Sequence, residues 1–176
     1  MNNEELKLNM QAIRGGDRDA FEELFRGMQT PIFTVIFRIT WDKPTSEEIL
    51  QEVFVRLFLT PLEPSIKNPR AYIFQMARNL AIDGLRRKQT KHVSIYEYEA
   101  EDAVSQPMDD IAMRMDIDEA LKKLPPQECQ IVTLHIVGEL KFREISEVLQ
   151  VPLGTVLWKY QKAISKLQKM ITGGPR

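Results

Sequence analysis

Asn79, Asp83 and Arg86 recur at i, i+4 and i+7, and Arg87 and Lys88 carry the row on into positive charge. On a helix that spacing lines up an amide and guanidinium groups along one polar stripe. An amide can hydrogen-bond a base edge while cationic heads hold phosphates, so the chemistry that fits is grip on a nucleic-acid strand. Plain solvation of a helix face explains the same stripe, and the residues alone leave both readings open. A second set lies in VPLGTVLWKYQKA, residues 151–163, after the short amphipathic run FREISEVLQ. Short helix, turn, then a longer helix with Lys159, Lys162 and Lys166 is helix-turn-helix spacing, in which the second helix enters the DNA major groove. Catalysis has no such footing. Cys129, His92 and His135 are scattered, and no nucleophile–base or carboxylate pair stands at a meaningful spacing. One Cys and two distant His give no zinc site of the finger type. The expectation is a binding protein with no enzymatic activity, metal or cofactor.

Charge is sorted along the chain. The net charge is −1, yet residues 97–119 hold nine acidic side chains against Arg114, and residues 120–176 hold nine basic against four acidic. Between Gly84 and Tyr96 every charged residue is basic. Two basic blocks around an acidic one suggest two anionic contact sites joined by a self-repelling linker, with solvated helix faces as the plain alternative. The hydrophobic fraction of 43% over 176 residues suits one ordinary domain or two small ones. No apolar run reaches membrane-spanning length, and MNNEELKLNMQ is too polar for a signal peptide. A lone cysteine fits a reducing cytosol, so the expected place is cytoplasmic, with no membrane insertion of its own.

The elements that must position these residues are helices. Asp17 reads as an N-cap for a helix with Phe21, Leu24, Phe25 and Met28 on one stripe. Thr30-Pro31 reads as the restart of a second, buried helix, PIFTVIFRIT. Thr45 and Glu48 read as a capping box opening EEILQEVFVRLFL, whose apolar face is Ile49, Leu50, Val53, Phe54, Leu57 and Phe58, ended by Pro61 and Pro64. Glu48, Gln51, Glu52 and Arg56 fall outside that face. Asn68-Pro69 opens the helix that carries Asn79. Residues 91–118, with Pro107, read as a linker. Beyond it come a helix to Leu124, then PQECQIVTLHIVG burying Ile131, Val132, Leu134 and Ile136 and closed by Gly138, then the helix-turn-helix. The fold class is all-α, two small helical domains over 1–90 and 119–176.

EEILQEVFVRLF and AYIFQMARNLAIDGLRRK, with ALKKLPPQECQIVTLHIVGELKFREISEVLQVPLGTV after them, resemble one family. It is the extracytoplasmic-function (ECF, group IV) sigma factors of bacterial RNA polymerase, in their regions 2 and 4. The resemblance covers roughly residues 12–90 and 119–170. It implies a transcription initiation factor that binds core polymerase and directs it to promoters. Glu48, Gln51 and Glu52 would dock on the clamp coiled coil of the β′ subunit. Asn79, Asp83, Arg86, Arg87 and Lys88 would hold the unpaired −10 strand. Thr155, Leu157, Trp158, Lys159, Gln161 and Lys162 would face the −35 duplex. It further implies an anti-sigma partner. A stand-alone helix-turn-helix regulator is the alternative, which leaves the Glu48 edge without a role.

The chain departs from the family's pattern in places. Tyr72 replaces the usual Trp, Ser146 the usual Ala, and Gln150 the usual turn Gly, where a left-handed backbone would cost about 1 kcal/mol. Leu157, Trp158 and Lys159 stand where Lys or Arg, Ser and Arg are common. Trp158 lies off the stripe of Val156, Tyr160, Ala163, Ile164, Leu167 and Ile171, which favours an exposed side chain over a core one.

Overall fold

The computed structural model describes residues 1–60, 63, 65–91 and 117–172, apart from the side chains of 89–91 and 172. The helices are α1 (Asn3–Arg14), α2 (Arg18–Thr40), α3 (Lys43–Leu59), α4 (Pro69–Lys91), α5 (117–122), α6 (Pro126–Ile136), α7 (Phe142–Leu149) and α8 (Leu153–Thr172). There is no strand among the described residues. Most of the segment read as a linker, 92–116 with His92 and Pro107, lies outside them, as do Pro61 and Pro64.

Helix α1 was not anticipated. Leu6, Met10 and Ile13 form a buried i, i+4, i+7 stripe, and Asn2 with Glu5 makes a reciprocal capping box. Asp17 caps α2 as expected, accepting from the Asp19 and Ala20 amides. The restart at Pro31 does not occur. Proline forgoes one intrahelical hydrogen bond, but Leu24, Met28, Ile32, Val35 and Ile36 form one unbroken buried stripe across it. Tertiary packing of that stripe outweighs the local break.

The cap of α3 also differs. Asp42 is the N-cap, its carboxylate accepting from the Thr45 amide at 3.0 Å and from the Thr45 hydroxyl. Thr45 is therefore a ligand of the cap rather than the cap itself. An ionised oxygen three residues upstream is the stronger acceptor for the free amides. Burial acts to raise the Asp42 pKa, but bonds from Thr45 and Lys88 and the Lys88 charge outweigh it and hold the carboxyl below its ordinary value. The apolar face of α3 is as read, except that Phe58 is 47% exposed.

In the C-terminal group, Ile131, Val132 and Leu134 are buried but Ile136 is 59% exposed, because α6 ends there. Gly138 is needed for space rather than for a left-handed backbone. A Cβ on it would lie 2.5 Å from the Leu134 carbonyl oxygen. The left-handed residue is its neighbour, Glu139 (φ 53°). Gln150 is left-handed (φ 54°) in the helix-turn-helix turn, with its N–H donating to Glu147 O at 3.3 Å. His135 lies on Phe142 with ring centroids 4.3 Å apart, and its Nδ1 meets Leu140 O at 2.9 Å, so the ring is satisfied within the helical group. Cys129 is buried, and burial pushes its thiol up, so it stays protonated near neutrality.

Helices α1–α4 and α5–α8 form two groups that pack against each other through α2, α4, α6 and α7. Ile32, Ile73 and Phe74 share one apolar cluster with Ile131, Leu134 and Ile145. Polar links line this seam. Asn68 donates to Glu144 at 2.8 Å, Arg78 to Gln130 at 3.0 Å, and Arg38 pairs with Asp118 at 3.4 Å. Burial lowers the Arg78 pKa, and the buried Arg38 Nε has no hydrogen-bond partner among the described residues. Charge held in this way costs free energy, which offsets part of what the shared apolar cluster contributes to the seam.

Candidate nucleic-acid interface

Helices α3 and α4 run side by side and leave an open groove along their outer edge. Gly84 permits the approach, since a Cβ there would come to 3.0 Å from Ile49 Cδ1. At one end the groove is lined by Thr45, Glu48 and Glu52 from α3 and by Gly84, Arg87 and Lys88 from α4. Toward the other end the walls are Arg56 on α3 and Tyr72, Gln75, Asn79 and Asp83 on α4. Arg86 and Arg87 face the stretch between, with Glu52, Arg56 and Asp83. The structure thus brings the Asn79–Arg87 stripe together with the Glu48/Glu52 edge, which sequence spacing had treated as separate.

The individual placements differ in kind. Glu48 and Gln51 are exposed, and Glu52 accepts from Arg56 at 2.6 Å. Asn79 and Asp83 are exposed, with Asn79 Oδ1 3.5 Å from the neighbouring Arg78 head. Arg86 and Arg87 are exposed in the C-terminal half of α4. Lys88 is turned back to the start of α3, 2.9 Å from Asp42. Its charge serves the α3 cap in this conformation. Tyr72, which replaces the usual Trp, is exposed and lines the groove beside Asn79. An aromatic face next to an amide is a stacking platform for a base.

The helix-turn-helix is formed by α7 and α8. Lys141 N–H donates to Glu144 at 2.7 Å to start α7, and Ser146 Oγ bonds Val151 O at 2.6 Å across the turn. Val156 and Ala163 anchor α8 and Leu167 is half-buried, whereas Ile171 is 61% exposed and leaves the expected stripe near the helix end. Trp158 is 55% exposed and is not core. Leu157, Gln161 and Lys162 are exposed beside it, and Thr155 and Lys159 are half-buried. Lys162 Nζ stands 4.6 Å from the Trp158 ring centroid, a cation–π contact one turn along. The opening of α8 therefore offers an apolar plate with a cation fixed on it.

Sequence reasoning gave no role to Arg70, Arg56 or Trp41. Arg70 is 7% exposed within the seam. Arg56 borders the groove. Trp41 ends α2 in a left-handed conformation (φ 52°), with Lys122 Nζ 5.8 Å from its ring. Nothing in spacing announces such roles, because each depends on an element distant in the chain.

Comparison with known proteins places this architecture. The model of Sigma-70 region 2 matches residues 24–91, and that of Sigma-70, region 4 matches residues 114–167. Together they span well over half of the chain. The ECF RNA polymerase sigma factor SigW of Bacillus subtilis (strain 168) is 24% identical over 180 residues, covering 94% of this chain and 96% of its own. SigK of Mycobacterium ulcerans (strain Agy99) is 26% identical, covering 96% and 94%. Among solved structures, the fold is similar to the sigma factor RpoE in complex with the anti-sigma factor NepR from Bartonella quintana. That likeness has TM-score 0.69 at 15% identity and covers 86% of this chain and 96% of that one. It is similar too to CnrH in complex with the cytosolic domain of CnrY, with TM-score 0.70 at 16% identity and coverage of 97% and 99%. Sigma-70 regions 2 and 4, in this order on one chain, define a promoter-directing transcription initiation factor. The chain belongs to the sigma-70 family, in its ECF group.

Proposed function

We propose that the chain binds core RNA polymerase through the exposed edge of α3 and reads two promoter elements with its two helical groups. Glu48, Gln51 and Glu52 meet a basic helical surface, the clamp coiled coil of the β′ subunit. The α4 wall holds the unpaired −10 strand, with Asn79 on a base edge, Tyr72 as a stacking face and Arg86 and Arg87 on phosphates. Helix α8 lies in the major groove at −35, where Leu157 and Trp158 offer apolar contact to thymine methyl groups and Lys159 and Lys162 take phosphates. Residues 1–90 and 119–176 are the two reading units, joined by 91–118. An anti-sigma factor is a further partner, as a solved structure of like fold holds a sigma factor together with the anti-sigma factor NepR. The place of action is the cytoplasm, where the polymerase works.

The observation that carries the reading is the presence, on one chain, of a groove joining acid on α3 to an amide–arginine row on α4 and of an exposed helix-turn-helix opening. A stand-alone regulator would use only the second. The test is transcription reconstituted with core polymerase, followed by mapping of start sites across the genome. Specific initiation that needs both components supports the reading. Tight sequence-specific binding by the chain alone, unchanged by polymerase, would overturn it. Replacing Glu48, Gln51 and Glu52 with Ala should weaken polymerase binding without unfolding α3, since Ala is a good helix former.

A further inference from the structure

One wall of the groove carries a cation that the strand-holding reading leaves idle. Arg56 lies on α3 opposite Asn79 and Tyr72, and it also borders the stretch faced by Arg86 and Arg87. Its guanidinium is held by Glu52, one turn back on the same helix, at 2.6 Å. Both side chains reach solvent, and an exposed i, i+4 pair is weakly held. Arg56 can therefore exchange its carboxylate for a better anion at little cost. A phosphate is such an anion, because the planar guanidinium fork meets two of its oxygens at once. The docking edge itself is no place for Arg56. A basic partner that matches Glu48 and Glu52 would repel an arginine on the same face.

We propose that Arg56 is a contact residue for the unpaired DNA strand, supplied by α3 opposite the α4 row, and that Glu52 occupies it until a docking partner takes the carboxylate. The proposal rests on the assignment of α3 to docking and of α4 to the strand. Docking then frees a cation in the groove, and by linkage a bound strand favours docking to the same degree.

The test uses the full chain and a short fluorescein-labelled single-stranded DNA of mixed sequence, without polymerase, across a salt series. Glu52→Gln should raise affinity several-fold and steepen the log–log salt slope by about 0.7, one phosphate contact on a single strand. Glu48→Gln removes an equal charge from the same wall without freeing Arg56, so its slope should stay that of the parent. Adding Arg56→Gln to Glu52→Gln should abolish the gain. Equal slopes for Glu48→Gln and Glu52→Gln, or a gain that survives Arg56→Gln, would overturn the proposal. In a second arm, Arg56→Gln should bind core polymerase at least as tightly as the parent, because Glu52 is already free, and yield fewer open complexes. Loss of polymerase affinity would instead place Arg56 in the docking edge and sink the idea. Asn79→Ala is the reference for the underlying assignment. If it weakens strand binding and Arg56→Gln does not, the Arg56 proposal falls alone. If neither does, the strand role of α4 falls with it.

Discussion

Arg70, at the start of α4, donates from Nε to the carbonyl of Gly138 at 2.6 Å, and its other nitrogens reach Met1 O at 2.6 Å and Glu139 at 2.9 Å. One buried guanidinium thus ties α4, the chain start and the α6–α7 turn together. The left-handed backbone of Glu139 helps to form the turn that Arg70 meets. Arg70→Met keeps the length of the side chain but leaves the Gly138 and Met1 carbonyls without their donor, a loss of about 1–3 kcal/mol. The expected result is a lower urea midpoint and a larger radius of gyration by small-angle X-ray scattering. A variant with parent stability and parent dimensions would show that apolar contacts alone hold the seam.

The proposed reading of two promoter elements at once requires the packed arrangement to open. A compact chain of this length is roughly 40 Å across by size scaling, whereas about 25 base pairs of duplex at 3.4 Å each cover roughly 85 Å. Dyes at the exposed Arg14 and Lys169 positions should transfer energy efficiently in the free protein and far less in the complex with polymerase and promoter. Unchanged transfer would mean that the two groups stay packed while the promoter is bound.

Trp158→Ala should leave the thermal midpoint near that of the parent, because the ring is exposed. Binding at −35 should weaken by about 1–3 kcal/mol, the range of one lost base contact. Lys162→Ala removes the proposed phosphate contact and also the cation over the ring. A double-mutant cycle should therefore show coupling of about 0.5–1 kcal/mol between the two, seen in competition assays with −35 duplexes. Additive effects would separate the plate from the cation.

Asp42 links the α3 cap to pH. Its pKa in the folded chain is lowered, so the unfolded state binds the proton more readily at low pH. The stabilisation is therefore present above the ordinary carboxylate pKa and is lost as pH falls through the lowered folded value. Asp42→Asn keeps an acceptor but loses the charge facing Lys88. It should flatten the acid limb of the stability curve in thermal melts at stepped pH, and Asp42→Ala should add a capping loss of about 0.5–2 kcal/mol. An acid limb identical to the parent's would assign that pH dependence to other carboxylates.

Gly138→Ala should destabilise by about 1–3 kcal/mol, the usual cost of overpacking, because the new methyl would press on backbone rather than on a movable side chain. Denaturant melts measure it. A neutral effect would show that the α6–α7 turn can shift without loss.

The residues themselves determined the all-helical class, the helix-turn-helix and the polar row on α4. Those signals are local: a 3.6-residue period, an N-cap at Asp17, a turn at Gln150-Val151-Pro152. The same locality explains the exposure of Trp158, which its angular distance from Val156 and Ala163 already favoured. Local rules failed where packing competed with them. Pro31 reads as a break until the buried stripe from Leu24 to Ile36 is seen to run through it. Thr45 reads as a cap until Asp42, tied to Lys88 from another helix, takes that place. The tertiary structure alone brought the Glu48 edge into one groove with Asn79, set Arg56 across from it, and buried Arg70 between two groups of helices. Each of these joins positions tens of residues apart. A sequence period describes one element's faces, and which face meets which is settled only by the summed packing of them all.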